Sequence, residues 1–153
     1  MGDLYIMIGP SGSGKSTVAS KIKESKPHSI IVSTDAIREE KWGNAGDQRE
    51  PQVIFRIAYS NTEQYLKEGY NVIFDSTALK PKYRKNLREI ANGRKVFAVY
   101  VNTPMDQCIE NDRVRDRVVG EAEIRAQFGR LVKPSVDEGF DGILVVNPLN
   151  ILS

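Results

Sequence analysis

The 153-residue chain has one cysteine, Cys108, and one histidine, His28. A lone cysteine cannot form an intrachain disulfide, and no His/Cys cluster surrounds it with metal-ligand spacing. That argues against a structural zinc site and a Ser-His-Asp mechanism. Cys108 reads as a structural helix residue, and His28, between Pro27 and Ser29, as a loop or strand-edge residue. No apolar run approaches the ~20 residues of a membrane span. Nor does the N-terminus carry a basic segment followed by a cleavable apolar stretch, so a cytoplasmic protein is expected. Charge of one sign is also scarce. The net charge of +2 neither demands nor forbids a nucleic-acid partner. Composition leaves the oligomeric state open.

What is present is a short repeating pattern. Strand-sized apolar runs occur at Leu4–Ile8, Ser29–Ser33, Tyr70–Phe74, Lys95–Val101 and Ile143–Val146. Their continuous hydrophobicity suits strands covered on both faces. Helical patterns separate them: Lys15–Ser25, Pro51–Lys67, Pro81 to about Ala91, Pro104 to about Asn111, and Glu121–Leu131. In the Pro51 helix, Val53, Ile54, Ile57, Ala58, Tyr65 and Leu66 form an apolar stripe, and Phe55 and Tyr59 read as core. Alternating strands and helices predict one α/β domain over residues 1–153, a five-stranded parallel sheet flanked by helices. Sites in such sheets lie beyond the carboxyl ends of the strands.

The segment Gly9-Pro10-Ser11-Gly12-Ser13-Gly14-Lys15-Ser16-Thr17 fits G-x-x-x-x-G-K-[ST], with a strand before and a helix after. Glycines let the backbone approach phosphate closely. Loop N–H groups and a helix N-terminus form an anion nest. Lys15 is expected on the β- and γ-phosphates, and the Ser16 hydroxyl on Mg²⁺. This pattern implies a nucleoside triphosphate, ATP, or GTP as the alternative donor, but leaves the acceptor open.

Ser33-Thr34-Asp35-Ala36-Ile37-Arg38 follows the second strand. Asp35 either caps the following helix or accepts the proton of an attacking hydroxyl. Arg38, one turn on, can share its face and hold an acceptor phosphate in a bidentate pair. Val72-Ile73-Phe74-Asp75 is an apolar strand ending in a carboxylate that holds an Mg²⁺ water, orients an arginine, or is a plain turn residue. Residues 111–120 read as an arginine-rich lid with Arg113, Arg115 and Arg117, or as a solvated charged helix end. Trp42, beside a Gly-rich loop, packs locally or stacks on an acceptor base.

Together, Gly9–Thr17, Ser33-Thr34-Asp35-x-x-Arg38, Phe74-Asp75-Ser76-Thr77-x-Leu79, Pro81-x-x-Arg84 and Asn111–Val119 resemble the kinase domain of phage-type polynucleotide 5′-hydroxyl kinases. The resemblance implies an adenylate-kinase-like P-loop fold. It implies Asp35 as general base, Arg38 on an acceptor phosphate, Asp75 in support, and Arg113, Arg115 or Arg117 on donor phosphates. A nucleic-acid 5′ end is then expected in a cleft beside Asp35, lined by Arg38, Lys80, Lys82 and Arg84. Gly120 departs from the family, whose lids often carry proline there. The same framework serves kinases of modified nucleobases and small molecules. A switch or ATPase without an acceptor is a third reading; no N-K-x-D guanine motif is evident.

Overall fold

A computed structural model describes residues 2–45, 49–115 and 118–148. Five strands are present: β1 Leu4–Ile8, β2 Ser29–Ser33, β3 Asn71–Asp75, β4 Val96–Val101 and β5 Gly142–Val146. They pair in parallel in the order β2-β3-β1-β4-β5. Helices α1 Lys15–Ser25, α2 Thr34–Trp42, α3 Pro51–Lys67, α4 Pro81–Ala91, α5 Met105–Arg113 and α6 Glu121–Arg130 connect them, with a 3₁₀ turn at Val136–Glu138. The predicted architecture is the observed one.

Alternate residues of β1, β3 and β4 feed two cores. Leu4, Ile6 and Ile8 join Phe74, Ala98, Ala58 and Leu87 on one face. Tyr5 and Met7 join Ile73, Val99, Val18 and Ala19 on the other. This two-sided burial explains the continuous apolar runs. The edge strand β5 departs from it: Leu144 and Val145 are about half exposed.

Several boundaries also differ from the sequence reading. Strand β3 begins one residue later and includes Asp75, because Ser33 pairs with Asp75 in register. Pro104 stands before α5 rather than inside it, its ψ of 147 being extended. The Ser33 hydroxyl accepts the Ala36 N–H at 3.2 Å and caps α2. Asp35 is therefore not the cap, and its place is the first turn of α2. Parallel pairing brings the loops after β1, β2 and β3 to one end of the sheet, where a cleft of about 1340 Å³ opens.

Candidate active site

The loop after β1 is held in shape by its neighbours. Gly12 and Gly14 take φ of 80 and 96, a region costly for other residues. A Cβ on Gly12 would lie 2.3 Å from the Cys108 carbonyl oxygen, so α5 packs directly on the turn. The Thr103 hydroxyl donates to Ser13 O at 2.7 Å, and Asn111 Nδ2 donates to Gly12 O at 2.8 Å. Gln127 of α6 accepts the Ser11 N–H at 2.7 Å and donates to Ser11 Oγ at 3.1 Å. The Gly9 N–H donates to Thr77 O at 3.1 Å, tying this loop to the one after β3. Ser11, Gly12, Gly14, Lys15, Ser16 and Thr17 line the cleft; Gly9 and Ser13 are buried behind it.

Lys15 and Asp75 form the charged centre. Lys15 Nζ donates to Pro10 O at 3.0 Å, and Ser16 Oγ donates to Asp75 Oδ2 at 3.0 Å. Burial lowers the Lys15 pKa, while the Asp75 and Asp35 carboxylates oppose that shift and Arg115 adds to it. Burial raises the Asp75 pKa; Lys15 and the Ser16 hydrogen bond oppose it, and Asp35 reinforces it. Four groups from four segments thus feel one another electrostatically. A hydroxyl and a carboxylate at hydrogen-bond distance are hard oxygen donors of the kind Mg²⁺ takes, so these residues fit that ion.

Asp35 lines the cleft and pairs with Arg38 at 2.9 Å. Arg38 is 7% exposed and also faces the cleft, so its guanidinium is fixed by packing. Asp35, Arg38 and Asp75 thus line one cleft.

Arg84 is not at that site. Its side chain is fully buried and bonded to Ala78 O at 2.9 Å, Leu79 O at 3.1 Å, Val132 O, and Glu138 at 3.0 Å. It locks the loop after β3, where Ala78 has a φ of 46, against the chain before the 3₁₀ turn. The acceptor-binding expectation for Arg84 is corrected to a structural one. Its periodicity hid this, because α4 carries basic residues on several faces.

The lid expectation divides. Arg115 lines the cleft, 3.8 Å from the buried Asp112. Arg113 points elsewhere, exposed and paired with Glu110 and Glu121 at 3.3 Å each. Arg117 lies outside the described residues. Asp112, which by sequence belongs to a solvated charged helix end, is instead buried; it accepts the Val119 and Gly120 N–H groups at 2.9 and 2.8 Å and fixes the root of this segment. Gln127 has no sequence signal, since a lone amide on a helix carries no motif.

Phe55, expected in the core, is instead a partly buried residue lining the cleft. Tyr59 packs on the core and also reaches the cleft. Trp42 is not among the residues lining it; Lys41 and Arg49 cover its ring instead, 5.3 and 4.8 Å from the centroid.

Residues 4–134 match the family model described as "AAA domain". A curated relative, the 5-hmdU DNA kinase 1 of Salmonella phage ViI, is 26% identical over 138 residues. The alignment covers 76% of this chain and 60% of that relative, so the chain spans less than two-thirds of its length. Among solved structures, a putative kinase from Chloroflexus aurantiacus superposes with a TM-score of 0.72 at 21% identity, covering 95% of this chain and 85% of its own. A chain of the Pnkp1/Rnl/Hen1 complex superposes with a TM-score of 0.65 at 21% identity, over 77% of this chain and 40% of that one. At these identities the structures share the fold.

Proposed function

This chain belongs to the AAA-domain family, and on that premise we propose that it is a kinase moving the γ-phosphoryl of ATP to the 5′-hydroxyl end of a DNA or RNA strand. One observation carries the reading. The Asp35–Arg38 pair opens into the same cleft as Lys15, Ser16 and Asp75. A triphosphate-gripping loop and an acid–guanidinium pair facing one cavity are what phosphoryl transfer to an alcohol requires.

The loop amides and Lys15 hold the β- and γ-phosphates. Ser16, with Asp75 behind it, would hold Mg²⁺, which when bound neutralises charge on the phosphate oxygens. Asp35 takes the proton from the attacking hydroxyl. That oxygen bonds to the γ-phosphorus as the bond from phosphorus to the bridging oxygen breaks, and ADP leaves. Arg38 steers Asp35 and receives a phosphate of the strand. Arg115 lies over the donor phosphates and stabilises charge that develops during transfer. Positioning and electrostatics supply most of the rate.

The test is transfer of labelled γ-phosphate to 5′-OH DNA and RNA oligonucleotides. Asp35→Asn should lower the rate by about 10²- to 10⁴-fold, the range for a general base, with ATP binding retained. Loss of ATP binding in that variant contradicts the assignment. Transfer to a metabolite panel but to no strand contradicts the substrate class.

A second reading is favoured by the name of the phage relative. The acceptor is then a hydroxymethyl group on a base within DNA. A 5′-phosphorylated oligonucleotide carrying internal 5-hydroxymethyluracil separates the two, since only this reading gives product.

A further inference from the structure

The wall of the cleft formed by α3 and α4 carries three aromatic rings, Phe55, Tyr59 and Tyr83, among the polar Gln52, Arg56 and Asn86. The Phe55 and Tyr83 rings lie 6.4 Å apart between centroids and within 19° of parallel. Phe55 also meets Tyr59 at 5.9 Å, and Tyr59 stacks on the buried Phe74 at 5.8 Å. The rings thus form a rigid series anchored in the core, and its outer end is open: Tyr83 is 41% exposed and Phe55 lines the cleft. Cations stand around that end. Lys82 Nζ lies 5.1 Å from the Tyr83 centroid, and the exposed Lys80 and Arg56 line the same cleft.

We propose that Phe55 and Tyr83 form a stacking shelf for the nucleobase of the nucleotide that bears the acceptor hydroxyl. The shelf rests on the nucleic-acid kinase reading above and sharpens it. Near-parallel rings offer a flat apolar face, which a planar base fills. A polyol or sugar acid has no flat π face to lay against those rings. Lys80, Lys82 and Arg56 complement the phosphodiester that continues from the base. Because every base has a π face, the shelf confers selectivity for nucleotides over metabolites with little preference among bases.

The experiment uses 5′-OH oligonucleotides ending in a normal nucleotide, in 2-aminopurine, or in an abasic residue. It compares wild type with Tyr83→Ala and Phe55→Leu, the second retaining apolar bulk beside Tyr59. Each variant should raise the acceptor KM by about 5- to 150-fold, the range for loss of one stacked base, with the ATP KM unchanged. The abasic end should show the same rise in wild type and no further rise in either variant. 2-Aminopurine fluorescence should be quenched on binding to wild type and much less on binding to Tyr83→Ala. Unchanged acceptor KM in both variants, or equal loss on abasic and normal ends, overturns the shelf and leaves the kinase reading standing. Quenching without transfer to any strand strikes the kinase reading and leaves the shelf.

Discussion

The Ser16 hydroxyl donates to the Asp75 carboxylate across 3.0 Å, joining the first turn of α1 to the last residue of β3. The bond unites two segments separated by 59 positions. It also offsets part of the cost of burying Asp75, whose pKa is raised mainly by desolvation.

Asp75→Asn is therefore expected to separate stability from metal use. Removing a carboxylate penalised by burial should leave the melting temperature equal or higher. The affinity for Mg²⁺ with ATP should fall about 10- to 100-fold, as for groups that orient a metal ligand. Thermal unfolding reads the first, and titration calorimetry of ATP with and without magnesium reads the second. A lower melting temperature with unchanged magnesium dependence would show that Asp75 only supports the fold.

Arg84→Met tests the opposite pairing of effects. The substitution leaves Glu138 and three carbonyl oxygens without their buried partner. Breaking such a pair costs roughly 3–5 kcal/mol, which urea unfolding would register as a lower midpoint. In the protein that remains folded, acceptor KM should stay near the wild-type value. A selective rise in acceptor KM with full stability would return Arg84 to the substrate.

Cys108 gives a pH signature. Burial raises its thiol from 9.0 to about 11. The unfolded chain therefore loses this proton first as pH rises, and stability falls between those two values. The slope from this group is about 1.4 kcal/mol per pH unit once past the lower value. Unfolding midpoints from pH 8 to 11 should show an excess slope in wild type that Cys108→Ala lacks. Equal slopes would mean the thiol ionises alike in both states.

The fold was legible because its signals are local and redundant. Leu4–Ile8, α1 and α3 run as predicted, each bounded by Gly, Pro or a polar break. The phosphate loop was legible for a related reason, since its spacing is dictated by backbone geometry. What the sequence hid was direction. Arg38 and Arg84 both sit four or fewer positions into a helix after a strand, yet one faces the cleft and the other the interior. Phe55 belongs by spacing to an apolar stripe, but α4 approaches on only one side and leaves its ring open. Gln127 reaches Ser11 across 116 positions, a contact no spacing announces.

Since all five strands run the same way, the molecule has two unlike rims. One gathers the chemistry. The other consists of the turns around Pro27-His28, Glu68-Gly69 and Asn92-Gly93, exposed and closed by the His28–Tyr70 ring stack at 4.0 Å. A five-residue strand separates the rims by about 16 Å. Dyes, surface linkers or fused partners attached at that far rim would ride on the same rigid sheet as the cleft while staying clear of everything that enters it.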